Sequence, residues 1–385
     1  MPFEFATPAR IIFGPGRLAD AGNLVRELGS RAVVVTGRDS NRAARLLERL
    51  AAAQITATVF SVAGEPSTDD ITRGTDHARA HGCDCVIGFG GGSAIDAAKA
   101  ISVLLTNGGE LLDYLEVIGR AQTLACPGVP CLAIPTTAGT GAEVTRNAVL
   151  FSPSHRVKVS LRGPHLLPRL ALIDPELTHE LPPAITASTG LDALTQLIEP
   201  YTSARAQPFT DALCVDGLRR AARSLRLAFE NGGDAAARED MALASLFGGL
   251  ALANAGLGAV HGFAGPLGGM FPAPHGAVCA ALLPHVMRAN VAVLQARGEA
   301  GRAGTSRYDE VARLLTGQDE ARSLDGVRWV ESLVTDLRSP PLSAYGVTAA
   351  DFPALIQASA KASSMKANPV PLTAGELEAI LRRAL

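Results

Sequence analysis

The sequence predicts an α/β N-terminal half built on a parallel, Rossmann-like sheet, followed by an all-α C-terminal half. Three observations lead there. In the first half, short β-branched runs alternate with stretches of helical periodicity, the pattern of a parallel sheet covered on both faces. After Asp174-Pro175 the alternation stops and long apolar-periodic stretches take over. The chain has 385 residues, too many for one ordinary core, so two domains are expected, residues 1–180 and 181–385.

The elements follow in order. Leu18–Leu28 reads as helical, and Arg31–Thr36 as a buried strand because three valines follow one another. Asn41–Ala53 carries leucines at helical spacing, Thr56–Val62 is a second strand, and Asp69–His81 is a polar helix. Cys85–Phe89 is a strand that runs into Gly90-Gly91-Gly92. The next helix is Ser93–Leu105, where Ser93 and Asp96 have capping-box spacing. Pro130–Ile134 is another strand. Helices are then expected over Thr186–Tyr201, Pro208–Ala228, Ala236–Ala255, Tyr308–Leu315 and Val327–Leu337. A last helix starts near Ala374, capped by Thr373 and Glu376, while Ala296–Ser306 reads as an exposed loop.

Composition removes several function classes. The chain is 47% apolar and 19% charged, which is globular rather than disordered. A net charge of −2 gives no field to attract nucleic acid or an anionic membrane. The N-terminus lacks a basic-then-apolar leader, and no uninterrupted run of about 18 apolar residues occurs. A cytoplasmic protein is the expectation. The six cysteines form no C-x-x-C pair and read as buried free thiols.

Two groups of residues carry chemistry. Gly91, Gly92 and Ser93 lie between a strand and a helix, where free N–H groups and the helix dipole face an anion. Thr136, Thr137 and Thr140 sit with two glycines on a loop after another strand; two such loops suit a dinucleotide. The pattern is not G-x-G-x-x-G, so the simple fingerprint is absent. Asp192 and Gln196, four apart, share one helix face, and His261 and His275 follow. A carboxylate and two imidazoles can bind a divalent metal.

These residues resemble the iron-containing (group III) alcohol dehydrogenase family over nearly the whole length. The carriers are Gly90–Ser93, Pro135–Thr140, Gly190–Leu194, Val260-His261, Phe271–Gly276, Leu282–Val286 and Asn368-Pro369. The resemblance implies a dehydroquinate synthase-like fold, with a dinucleotide-binding α/β half and a helical half that binds metal and substrate. It implies NAD(P)-dependent, metal-assisted hydride transfer between an alcohol and an aldehyde or ketone. Asp192, His261 and His275 match three metal ligands and are the expected catalytic residues. Gln196 is the fourth expected metal residue, standing where the family commonly has a histidine ligand, and Gly265 stands where many members carry a proton-passing histidine.

Gly91, Gly92, Ser93, Thr136, Thr137, Thr140, Asn147 and Lys158 match positions that contact the dinucleotide, and Asp96 is grouped with them. Gly37 replaces the aspartate of many NAD-preferring relatives, and Arg38 could pair with a 2′-phosphate. Asp39 leaves NAD, NADP or both open. The resemblance implies iron or zinc as the ion, a small alcohol or carbonyl compound as the partner, and a homo-oligomer. A second reading is the maleylacetate reductase branch, which reduces a conjugated keto-acid, with or without metal. A lyase resembling dehydroquinate synthase is disfavoured because the helical half is Ala/Leu-rich around the metal motifs.

Overall fold

A computed structural model describes residues 2–385, which divide into two compact units. One comprises Thr7–Thr137 and Gly141–Thr178; the other comprises residues 2–6, Ala138–Thr140 and His179–Leu385.

The first unit holds strands β1 (Arg10–Phe13), β2 (Arg31–Thr36), β3 (Thr56–Ser61), β4 (Cys85–Gly90), β5 (Cys131–Pro135), β6 (Asn147–Ser152), β7 (Val157–Arg162) and β8 (Leu170–Ile173). Its helices are α1 (Ala21–Arg26), α2 (Ala44–Ala52), α3 (Thr68–Ala80), α4 (Gly92–Leu104) and the short α5 (Leu111–Tyr114). Six strands form an all-parallel sheet in the order β1-β8-β5-β4-β2-β3. The period-2 alternation of β2 explains why it is apolar throughout. Val33 and Val35 join the core with α3 and α4, whereas Ala32 and Val34 join the core with α1 and α2. Burying each valine is worth about 1.5–3 kcal/mol relative to exposure.

Strand order reverses beside β4. From β2 the chain moves outward to β3, and from β4 it moves the opposite way through β5 to β8. Such a switch point leaves a crevice at the carboxyl ends of the strands. Thr36 pairs with Phe89 and Gly90 with Pro135, so the loops after β2, β4 and β5 leave the sheet along one edge.

Two features differ from the sequence reading here. An antiparallel hairpin, β6–β7, stands apart from the main sheet. Helix α4 begins at Gly92 with extended Gly91 in the cap position and no side-chain cap bond, so Ser93 does not cap it. Asp96 accepts from Val149 N at 3.0 Å and pairs with Lys99 at 2.8 Å, because the backbone of β6 recruits it away from the helix start.

The second unit is helical: α6 (Pro183–Thr202), α7 (Pro208–Glu230), α8 (Ala235–Ala255), α9 (Ala259–Met270), α10 (His275–Ala296), α11 (Arg302–Thr316), α12 (Ser323–Asp336), α13 (Phe352–Lys361) and α14 (Ala374–Ala384). Helices α6, α7 and α8 pack on one another, and α10 packs against α6, α9, α11, α12 and α14. Close approach of α6 and α7 depends on small residues. A Cβ on Gly190 would stand 2.2 Å from Leu225, and one on Gly217 would stand 2.5 Å from Leu197. The capping box of Thr373 and Glu376 forms as its spacing predicts.

The expected loop at 296–306 is instead a 3-10 turn, Gly298–Gly301, followed by the first turns of α11. Its glycines serve close packing rather than looseness: a Cβ on Gly301 would lie 1.8 Å from the Leu294 carbonyl oxygen. Helix α10 has the length and apolar character of a membrane span, yet 72% of its most apolar window is buried within the protein. It is the central core helix of its unit.

Candidate functional site

Helix α6 presents Asp192, Gln196 and Glu199 on one face, since steps of four and three residues return to the same side. His261 lies in the first turn of α9, and His275 opens α10, with Cys279 one turn later. These elements bring four donor atoms together. His261 Nε2 lies 3.3 Å from Asp192 Oδ1, and His275 Nε2 lies 3.7 Å from the same oxygen. Cys279 Sγ lies 3.9 Å from His261 Nε2 and 3.8 Å from His275 Nε2. All four atoms fall within 4.8 Å of one another.

Asp192 and Cys279 are fully buried, whereas the His275 side chain is 35% exposed, so the cluster has a closed rear and an open front. Behind it, the Glu199 carboxylate accepts from His261 Nδ1 at 2.7 Å and from Val260 N at 2.7 Å. That bond assigns the proton to Nδ1 and leaves the Nε2 lone pair facing the cluster. Asn368 fixes the same turn from the other side. Its Oδ1 accepts from Ala259 N at 3.1 Å, and its amide donates to Asn290 Oδ1 and the Val370 carbonyl, both at 2.7 Å.

Charge balance in this pocket is set by neighbours. Burial pushes the Asp192 carboxyl up, but His275, His261 and the Gln196 amide outweigh it and hold that carboxyl below its ordinary range. Burial alone would drive His261 neutral; Cys279, Asp192 and Glu199 instead push its proton affinity well above normal. Burial raises the Cys279 thiol, and the two imidazoles more than reverse that.

The donor set fits a divalent ion. Asp192 Oδ1 and Gln196 Oε1 are buried without a hydrogen-bond partner, a costly condition unless something else occupies their lone pairs. Of the residues the sequence singles out for the metal, Asp192, Gln196, His261 and His275 lie together here, and Cys279 and Glu199, which it does not single out, join them. Both were within reach of helical spacing, at four residues from His275 and seven from Asp192.

In the α/β unit, Gly91 and Thr137 come together: a Cβ on Gly91 would lie 3.3 Å from Thr137 Oγ1. Thr136 N donates to the Gly90 carbonyl at 2.9 Å, tying the two loops at the sheet edge. Gly92 and Ser93 occupy the first turn of α4, and Gly37 sits in open space at the end of β2. The Arg38 guanidinium is engaged by the Ala63 carbonyl at 3.1 and 3.3 Å. Lys158 pairs with Glu65, and the Asn147 carbonyl accepts from buried Lys99. Thr140 departs from this set. With Ala138 and Gly139 it belongs to the helical unit, where a Cβ on Gly139 would meet Thr189 at 2.6 Å.

Comparison with known proteins settles the family. Residues 8–175 match the model described as iron-containing alcohol dehydrogenase, and residues 186–385 match the C-terminal model of the same family. The chain belongs to the iron-containing alcohol dehydrogenase family. It is 34% identical to alcohol dehydrogenase 4 of Schizosaccharomyces pombe, over 99% of this chain and 89% of that protein. A solved 1,3-propanediol oxidoreductase superposes with a TM-score of 0.93 at 33% identity, covering 100% of both chains. Sulfoacetaldehyde reductase from Bifidobacterium kashiwanohense, solved with NAD+, superposes with a TM-score of 0.88 at 27% identity, over 100% of this chain and 99% of that one. These relatives of the iron-containing alcohol dehydrogenase family are named for alcohol and aldehyde chemistry, which gives no support to the maleylacetate reductase reading.

Proposed function

We propose that the chain interconverts a small alcohol and its aldehyde with a nicotinamide dinucleotide, at a divalent metal centre held by Asp192, His261 and His275. The convergence of Asp192 Oδ1 with the two Nε2 atoms, at 3.3 and 3.7 Å, carries this reading. A divalent cation held by these residues would supply Lewis-acid polarisation of the substrate oxygen. The dinucleotide supplies the hydride.

The chain's own residues set the stage for both. Asp192 offsets the cation's charge in a buried pocket, and Glu199 holds the His261 ring in the tautomer that turns Nε2 inward. The N–H groups at the head of α4, beside Thr136 and Thr137, receive the pyrophosphate. Gly265 has open space around it and offers no proton-passing group, so proton exchange with solvent falls to the exposed side of His275. Open space at Gly37 admits a 2′-phosphate as readily as a hydroxyl, and NAD and NADP are both accepted.

The test is elemental analysis with a dehydrogenase assay. Protein purified without chelator should carry about one divalent ion per chain and reduce short aldehydes with NADH or NADPH. His261→Ala should lose the ion and at least about 100-fold in kcat/KM while keeping its circular dichroism. A metal-free preparation with full activity would overturn the reading.

A further inference from the structure

We propose that the Cys279 sulfur is a protein donor to the metal beside Asp192, His261 and His275. The inference rests on the reading of this cluster as a metal centre and adds a ligand to it.

Geometry makes the case. Tetrahedral donors bonded at about 2.0–2.3 Å stand roughly 3.5 Å apart. The oxygen–nitrogen separations here are 3.3 and 3.7 Å, and the sulfur–nitrogen separations are 3.9 and 3.8 Å. Cys279 therefore adds a fourth corner, and all four donor atoms lie within 4.8 Å of one another. Both Nε2 atoms face the same sulfur. A bridging cation satisfies all of them together, along with Asp192 Oδ1, which is buried and has no hydrogen-bond partner.

The backbone holds this arrangement firmly. His275 and Cys279 are one turn apart on α10, so their side chains emerge on one face. Gly276 lies against the backbone of Ser188 on α6, where a Cβ would meet the carbonyl oxygen at 2.2 Å, and that approach holds the start of α10 to α6. The resulting set of one carboxylate, two imidazoles and one thiolate is softer than one with an amide or a third imidazole, and it favours zinc or cobalt.

Cobalt(II) reconstitution of the full chain tests this by absorption, without an activity assay. Wild-type protein should show an intense near-ultraviolet sulfur-to-cobalt band together with visible tetrahedral bands. In Cys279→Ser the ultraviolet band should vanish, the visible bands should shift, and cobalt affinity should fall by at least about tenfold. Gln196→Ala should keep the ultraviolet band, and so should Cys126→Ser, which removes an exposed thiol. Cobalt bound by wild type without the ultraviolet band overturns the role of Cys279 and leaves the three-ligand centre standing. No cobalt uptake at all overturns the metal centre itself. The wild-type spectrum decides even if a variant fails to fold.

Discussion

Glu199 touches His261 and Val260, and through them it decides which nitrogen of one ring is available. Glu199→Gln keeps the size but replaces one acceptor oxygen with an N–H group, so one of the two bonds is lost. Divalent-ion affinity should drop about 10- to 100-fold in a competition assay with a chromophoric chelator, and unchanged affinity would remove Glu199 from the site. Position 37 makes an independent prediction. Gly37→Asp should lower kcat/KM for NADPH by at least about tenfold while leaving NADH within a fewfold, since a carboxylate there repels a 2′-phosphate. Equal losses with both cofactors would show that position 37 does not read the ribose. At this scale the sequence was partly legible. Asp192, His261 and His275 stood out because carboxylate and imidazole are recognisable ligands in a familiar pattern. Cys279 did not, because an isolated cysteine among alanines looks the same as a buried packing residue.

Helices turn those single side chains into a site, and small residues set their spacing. Gly276→Ala would force a methyl group onto the Ser188 backbone and push the first turn of α10 away from α6. We expect a loss of about 1–3 kcal/mol in a denaturant titration, with weaker metal binding because His275 moves with that turn. Unchanged stability would mean the two helices have slack. Helices α7 and α8 are joined by charge: Asp240 accepts from Arg220, Arg223 and Ser224 at 2.6–2.8 Å. Burial raises the Asp240 carboxyl, but these donors reverse the shift and hold it below its ordinary value. A depressed carboxylate stabilises the fold above its unfolded pKa, and that contribution fades as pH falls through the folded value. Urea midpoints should therefore decline below about pH 4, and Asp240→Asn should lower stability at neutral pH while flattening that acid decline. An equally steep acid limb in the variant would assign the decline to other groups.

Helix α10 shows where sequence patterns stop being informative. It is apolar on every side because it is surrounded, and Pro284 interrupts its periodicity, so no single face announces a helix. By contrast β2 was legible because its valines fill two cores at once, and α14 because its cap is written in Thr373 and Glu376.

At the scale of the molecule, each unit is organised around one edge or one helix. The α/β unit sends its glycine and threonine loops to the carboxyl edge of a parallel sheet, and the helical unit gathers its donors around the start of α10. Alternating elements made the first arrangement readable, whereas the second depends on residues 192, 261, 275 and 279, which only packing brings together. The hairpin β6–β7 escaped notice because it lies outside the main sheet and so breaks the strand–helix rhythm.

Asn368 lies 109 residues along the chain from Ala259, yet it clamps the backbone there, one residue before Val260 and two before His261. Loss of that one amide would therefore loosen the turn that carries His261 without touching any of the four donor atoms.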